Sequence, residues 1–190
     1  LFRSYVARSI GEIFVAEFTK AMAALKMGTG RDSGIQLGAS VSVKERNKIA
    51  ELVDGAKSRG AKVHLGATTP QGAGAFYPAT VLEVSKTDEI LSNEIFGPVA
   101  PVVLFDTDEE ALKLANETEY GLISYVYSED LKRAIRFAEG LEAGMVGINR
   151  GLLSDPAAPF GGVKQSGLGR EGGFDGVHEF LQTKYIAVEI

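Results

Sequence analysis

The sequence predicts an α/β fold built on a largely parallel sheet with crossover helices. Three observations carry this expectation. Segments with apolar residues at three- and four-residue spacing alternate along the chain with short β-rich runs. Residues 98–105 form a near-continuous apolar run containing Val99, Val102, Val103 and Leu104, the pattern of a strand covered on both faces. From 98 to 149 the order is strand, helix, strand, helix, strand, which suits parallel strands joined by right-handed crossovers.

The elements follow in order. Residues 9–27 place Ile10, Phe14, Phe18, Met22 and Leu25 on one helical face, with Ser9 as the N-cap candidate and Gly28 as the stop. Residues 28–42 are rich in Gly, Ser and Thr and read as a connection. A second helix over 43–59 turns Ile49, Leu52, Val53 and Ala56 inward and Lys44, Glu45, Arg46 and Lys48 outward. Gly60 ends it, and 61–65 follow as a strand. A Gly-rich turn over 66–74 leads into 76–84, which is β-rich but broken by Pro78 and so belongs at an edge or in two short pieces. The run 98–105 takes the central position. Asp106, Thr107 and Asp108 cap a helix over 108–116, 122–127 is a strand, Ser128, Glu129 and Asp130 open a helix to about 140, and 144–149 is a strand. Residues 150–176 hold eight glycines and little periodicity, one long loop of the kind that is usually functional. The chain closes with a short helix over 175–181 and an alternating strand over 184–190. That strand has no hairpin partner, and an unpaired edge calls for a partner subunit, so a homo-oligomer is expected.

Composition excludes several functions. The chain has 190 residues, 45% of them hydrophobic, enough for one domain with a sizeable core. A net charge of −5 offers no basic face for nucleic acid. No run approaches the roughly 18 apolar residues of a membrane span, and no charged-then-apolar leader opens the chain, so it reads as a cytoplasmic protein without membrane contact. The absence of cysteine rules out disulfides, thiolate metal sites and a cysteine nucleophile within these residues. His64 and His178 stand apart without ligand spacing, so no metal site is expected. The acidic groups at 108–110 and 129–130 sit at helix N-termini, where the macrodipole favours them as caps rather than as acid–base pairs. The opening at Leu1, in an apolar segment with Phe2, Tyr5 and Val6, reads as the middle of a longer sequence.

Two segments carry candidate chemistry. Ser92-Asn93-Glu94-Ile95-Phe96-Gly97-Pro98-Val99 sets a carboxylate and an aromatic just before the central strand, where strand-end turns hold ligands in open α/β sheets. A carboxylate can accept two ribose hydroxyls and a Phe can wall a flat ring; the alternative is a solvated Glu beside a core Phe. Pro159-Phe160-Gly161-Gly162-Val163-Lys164-Gln165-Ser166-Gly167-Leu168-Gly169-Arg170-Glu171 allows close backbone approach, and Lys164 and Arg170 can attract anions. It is not a phosphate loop, because it lacks the strand-to-helix context and the Gly-Lys-Ser/Thr ending.

Taken together, Glu94-Ile95-Phe96-Gly97-Pro98, Gly144-Met145-Val146-Gly147-Ile148-Asn149 and Pro159-Phe160-Gly161-Gly162-Val163-Lys164-Gln165-Ser166-Gly167 occur in the order and spacing of the aldehyde dehydrogenase superfamily. Gly28, Gly60-Ala61-Lys62-Val63 and Tyr120-Gly121-Leu122 extend the resemblance over essentially the whole chain, which resembles the C-terminal catalytic-domain portion of the succinate-semialdehyde branch. The resemblance implies that Glu94 holds the nicotinamide ribose, Phe96 lies against that end of an NAD or NADP cofactor, and Leu122 approaches the nicotinamide. It implies that Phe160 lines the aldehyde tunnel, that Ser154 binds the substrate's distal carboxylate, and that Asn149 is structural support. A loop serine bonded to its own backbone is the alternative for Ser154. Arg150, where this branch more often carries a small or polar residue, either adds positive potential for an acidic substrate or is a solvated loop arginine.

In this family a thiolate attacks the aldehyde, hydride passes to the nicotinamide, and a glutamate activates water to release the acid. Neither group is in these residues; the resemblance puts the cysteine a few positions before Leu1 and the glutamate earlier still. The expected organisation is a catalytic domain over 1–181, lacking its N-terminal part and nucleophile segment, and an oligomerisation strand over 182–190. The expected function is oxidation of succinate semialdehyde to succinate by the parent protein, with these 190 residues alone inactive. Another short aldehyde, or a non-catalytic assembly module, are the alternatives.

Overall fold

A computed structural model of the chain describes residues 3–190, so the expected apolar opening at Leu1 and Phe2 lies outside the described residues. The fold is mixed α/β and divides into two compact units, Leu1–Ala111 and Leu112–Ile190.

The first unit is organised by one strand. β4 (Val99–Phe105) lies inside a four-stranded sheet of order β1-β4-β3-β2, where β1 is Ser4–Ala7, β2 is Lys62–Leu65 and β3 is Thr80–Glu83. β4 runs parallel to both of its neighbours, while β2 closes the edge antiparallel to β3. Because side chains alternate across a strand, the paired residues Val81 and Leu82 of β3, like Val102 and Val103 of β4, face opposite sides. Leu82 and Val103 join Ile49, Val53 and Ala56 of α2 (Val43–Ser58) in one core cluster. Val81 and Val102 join Val15 in a second, against which Phe14, Phe18 and Met22 of α1 (Gly11–Ala23) pack. A helix on each face explains why β4 is apolar without alternation. Val53, Val81, Val102 and Val103 are completely buried, each contributing about 1.5–3 kcal/mol of hydrophobic stabilisation.

Several expectations change here. The helix expected over 9–27 is α1 alone, preceded by a 3-10 turn over Arg8–Ile10, and Ser9 caps nothing, since Ile10 precedes α1 without a side-chain cap. It stops before Gly28 because Met27 leaves to form a parallel bridge with Leu37, and the Gly28 N–H donates to the Leu37 carbonyl. Segment 76–84 becomes a strand only from Thr80, past Pro78, and β3 is an interior strand rather than an edge. β1 carried no sequence signal beyond its apolar pair Tyr5 and Val6. Pro101 sits within β4 because Pro98 and Val102 turn their carbonyls to β3, which leaves Pro101 facing the other side, where the ladder with β1 begins only at Val102.

The second unit begins in α3 (Asp108–Asn116), whose first turn is capped by the Thr107 hydroxyl accepting the Glu110 N–H. β6 (Ile123–Val126), α4 (Leu131–Gly140) and β7 (Met145–Ile148) form a strand–helix–strand unit with β6 and β7 parallel, and Asp130 caps α4 by accepting the Arg133 N–H. This pair makes a sheet of its own, so the expected run of strands from 98 to 149 does not share one ladder. The expected strand over 122–127 is divided between β5 (Tyr120–Gly121) and β6, and the long loop over 150–176 contains β8 (Val163–Lys164), antiparallel to β5. The expected last helix is a 3-10 turn, Asp175–Phe180, closed by the Leu181 N–H donating to the His178 carbonyl, and residues 182–190 are exposed and form no strand pairing among the described residues.

An ion network ties the strand ends of the first unit. The Arg8 guanidinium, just past β1, grips Asp106, just past β4, through both oxygens at 2.6 and 3.1 Å. Lys86 adds a third contact to Asp106 at 3.4 Å and pairs closely with Glu110. The Arg8 hydrogen bonds and the Lys86 charge hold the Asp106 carboxyl down at about 2. A depressed carboxyl stabilises the fold above its unfolded value near 4 and loses that contribution as pH falls through about 2. Acid unfolding of Asp106→Asn beside the parent chain, followed by circular dichroism, is expected to show a stability gap at pH 6 that closes between about pH 5 and 2. A gap independent of pH would contradict the pairing.

Candidate functional site

In the first unit the segment leading into β4 is anchored before it is exposed. The Asp88 side chain is 3% exposed and meets the Arg59 guanidinium at 2.7 Å, and it also accepts the Ile90 N–H, capping the 3-10 turn Glu89–Ser92. Burial alone would raise the Asp88 carboxyl; the hydrogen bonds from Arg59 and Ile90 outweigh it and keep the group below the ordinary carboxylate range. From this fixed point the chain alternates. Ile95 is buried in the α2 cluster, whereas Glu94 is exposed and Phe96 is 76% exposed. Gly97 passes so close to Ile49 that a Cβ would collide with its δ-methyl group. Ile95 is thus the core residue, and Phe96 stands in solvent; the reading of Phe96 as a core side chain is overturned.

In the second unit three glycine-bearing segments converge. The Gly144 N–H donates to the Gly121 carbonyl at 3.0 Å and the Met145 N–H to the Leu122 carbonyl at 3.1 Å. A Cβ on Gly144 would collide with the Gly161 carbonyl, and one on Gly121 would stand 2.5 Å from the Glu142 carbonyl. Gly162 lies against the same turn, where an added Cβ would be 3.4 Å from the Leu122 Cα. The segment that carries Phe160 is therefore brought beside Leu122. Phe160 itself is half-buried and exchanges two backbone hydrogen bonds with Glu171, while Leu122 is 38% exposed.

The polar residues of the Gly-rich segment hold this arrangement. The Ser166 hydroxyl accepts the Gly121 N–H at 3.0 Å. The Lys164 ammonium donates to the Asn116 and Thr118 carbonyls past the end of α3 and pairs with Glu142 at 2.5 Å. Arg170 donates to the Gly162 and Gly169 carbonyls. Lys164 and Arg170, expected to attract anions, are committed to the backbone instead.

Ser154 lies on a different stretch, fixed at both ends. Asn149 adopts a left-handed conformation, φ 52°, and its side-chain amide both accepts the Ser128 N–H and donates to the Ser128 carbonyl. Four residues on, the Leu153 side chain lies against Gly147 of β7, where a Cβ would be 3.1 Å from its δ-carbon. Between and beyond these anchors, Arg150, Leu152 and Ser154 are exposed. The Asn149 clamp was legible in part, since Asn is the side chain that most readily takes this backbone region; the clamp roles of Ser166 and Lys164 left no signal beyond the glycine spacing.

His64 meets Glu83 at 3.1 Å across β2 and β3, and His178 stacks edge-on to Phe174. Among the described residues no group of three His, Cys, Asp or Glu can hold a metal, and no helix is long and apolar enough to cross a membrane.

Glu94 and Phe96 belong to the first unit, and Leu122, Ser154 and Phe160 to the second. The model of the aldehyde dehydrogenase family matches residues 1–186. The succinate-semialdehyde dehydrogenase of Paenarthrobacter nicotinovorans is 48% identical over 98% of the chain and 42% of its own length. The glutarate-semialdehyde dehydrogenase of Pseudomonas putida is 41% identical over 99% of the chain and 39% of its own length. Among solved structures, a succinate-semialdehyde dehydrogenase from Burkholderia pseudomallei matches with a TM-score of 0.90 at 41% identity, covering 94% of this chain and 37% of that one. A betaine aldehyde dehydrogenase variant from Staphylococcus aureus, in complex with NAD+, also matches with a TM-score of 0.90, at 38% identity over 97% of this chain and 38% of that one. The chain spans about 40% of the length of the curated relatives it matches. With a family match across nearly every residue and these structures following the same course, the chain belongs to the aldehyde dehydrogenase family.

Proposed function

We infer that this chain supplies the cofactor-facing and substrate-facing walls of an NAD(P)-dependent oxidation of succinate semialdehyde to succinate. The observation that carries the substrate is Ser154, an exposed hydroxyl on a stretch clamped by Asn149 and Leu153. Succinate and glutarate semialdehydes, named for two relatives, both carry a carboxylate at the end away from the aldehyde. A hydroxyl donating to that carboxylate makes a charge-assisted hydrogen bond, stronger than a neutral one in a shielded site. Phe160, on the segment beside Leu122, supplies an apolar surface for the short carbon chain.

The residues of the first unit fit a nicotinamide nucleotide. Glu94 offers both carboxylate oxygens to ribose hydroxyls, and the exposed Phe96 ring is ready to cover a flat group, both fixed in place by the burial of Ile95 between them. When bound, the nicotinamide accepts the hydride of the aldehyde. In the second unit Leu122, beside the Phe160 segment, presents an exposed apolar side chain. The sequence has no cysteine, so these residues provide no thiol nucleophile and do not turn over an aldehyde alone.

The catalytic role extends over 1–181, and 182–190 pairs as a strand with a second copy. Exposed Leu181, Tyr185, Ile186, Val188 and Ile190 on an unpaired tail support this pairing. Light scattering of the full-length enzyme with and without residues 184–190 is expected to show a smaller assembly after deletion; an unchanged mass would refute the role of the tail.

For the substrate, kcat/KM is to be measured for succinate semialdehyde and for butanal, with the full-length enzyme, its Ser154→Ala variant, and the 190-residue chain as a zero-turnover control. The expected result is a loss of about tenfold to a hundredfold for succinate semialdehyde and under threefold for butanal. Equal losses on both aldehydes would remove Ser154 from carboxylate binding, and turnover by the 190-residue chain would overturn its dependence on an outside nucleophile.

A further inference from the structure

We propose that Asn93 is a positioning residue for the cofactor, its side-chain amide setting the direction in which the Glu94 carboxylate leaves a turn latched to α2 by Arg59 and Asp88. This rests on the reading of Glu94 as the ribose-binding carboxylate and adds what aims it. A carboxylate that meets two hydroxyls has to be held closely in place, and a side chain on an exposed turn is held only as well as the turn itself.

The latch lies at the far end of α2. The buried Asp88 carboxylate receives the Arg59 guanidinium through two nitrogens, Nη2 at 2.7 Å and Nε at 3.3 Å, and the oxygen that meets Nη2 also accepts the Ile90 N–H at 3.0 Å. Arg59 is the C-cap of α2, and its guanidinium folds back over Gly55, where a Cβ would be 3.0 Å from Nη1. Ile49, the residue that meets Gly97, is ten positions back along the same helix, about 15 Å along its axis. Between these two points Ile90, Leu91 and Ile95 are buried in the cluster that contains Val53 and Ala56. The stretch from Asp88 to Gly97 therefore lies along α2 and is fastened at both ends.

Asn93 sits where the latched turn ends. It is the C-cap of the 3-10 turn Glu89–Ser92, with extended backbone at φ −110° and ψ 139°, and its Nδ2 donates to the Glu89 carbonyl at 3.0 Å. A carbonyl only accepts, so the nitrogen of the amide has to face it. The bond ties the first residue of the turn to its cap, and Glu94 is the next residue. The Glu94 side chain thus departs from backbone fixed on one side by Asn93 and on the other by buried Ile95. Past Ile95 the Gly97 N–H donates to the Ile95 carbonyl at 2.9 Å, a three-residue turn that presents Phe96 at its apex. Because the Asn93 bond is exposed, water can satisfy the Glu89 carbonyl once the amide is gone, so its loss costs the fold little while freeing Glu94 to turn.

The test uses the full-length enzyme with Asn93→Ala, Asp88→Asn and Glu94→Gln. It reads KM for NAD+ and NADP+, KM for succinate semialdehyde, melting temperature, and the affinity for NADH and NADPH by their fluorescence. Asn93→Ala is expected to raise KM for the cofactor about tenfold and to weaken binding of its reduced form to match, with KM for succinate semialdehyde within about twofold and the melting temperature nearly unchanged. The loss is confined to the cofactor because Ser154 and Phe160, the substrate-facing residues, belong to the other unit. Asp88→Asn, which weakens the latch itself, is expected to raise cofactor KM in the same sense and also to lower the melting temperature. Unchanged cofactor KM in Asn93→Ala, or an equal rise for cofactor and aldehyde, would overturn the role of Asn93. The parent reading fails separately: a Glu94→Gln variant that binds NADH and NADPH as tightly as the unaltered enzyme removes Glu94 from the cofactor site, whereas weak binding by Glu94→Gln beside an unaffected Asn93→Ala sinks the positioning alone.

Discussion

The close approach of backbone at Gly121, Gly144, Gly161 and Gly162 is the constraint on which the second unit depends. Three segments distant in sequence meet there with no room for a single Cβ between them, and overpacking of such a junction costs about 1–3 kcal/mol even where neighbours can shift. Because the glycines allow the contact, the Gly144 and Met145 N–H groups reach the Gly121 and Leu122 carbonyls, and the Ser166 hydroxyl reaches the Gly121 N–H. Leu122 and the Phe160 segment are then held by many weak bonds rather than one strong one. The Lys164 ammonium completes the junction by satisfying carbonyls left open past α3, a need that any helix end imposes.

The first unit solves a related problem with side chains. Glu94 and Phe96 stand in solvent on a segment that is anchored on both sides. Burial of Ile95 among the α2 residues and the tight passage of Gly97 over Ile49 fix the segment on one side, and the Arg59–Asp88 pair fixes its start. The two-sided core around β4 gives this support its rigidity, since α1 and α2 each press one face of the same parallel strands.

Much of this was legible in the sequence, and the residues show why some was not. The apolar run of β4, the periodicity of α2 and the start of α4 at Asp130 follow from local pattern and capping, which tertiary contacts reinforce. Where the reading slipped, a long-range contact decided. The bridge from Met27 to Leu37 ended α1 early, and pairing with β4 on one side and β2 on the other placed β3 inside the sheet despite Pro78. Of the candidate site, Glu94, Phe96 and the Gly-rich segment of Phe160 stood out by residue type and position, while the roles given to them and to Leu122 and Ser154 came from the family resemblance; the structure adds what holds each segment. The assignment of Lys164 and Arg170 as anion attractors failed because a sequence does not show which carbonyls are left unsatisfied.

The most direct test is a crystal structure of the full-length enzyme with oxidised cofactor and succinate. The expected result places the ribose hydroxyls of the nicotinamide on the Glu94 carboxylate, the Phe96 ring against that end of the cofactor, and the succinate carboxylate on the Ser154 hydroxyl with Leu122 and Phe160 beside the carbon chain. A cofactor bound away from Glu94, or a succinate that leaves Ser154 untouched, would contradict the assignment of these two walls.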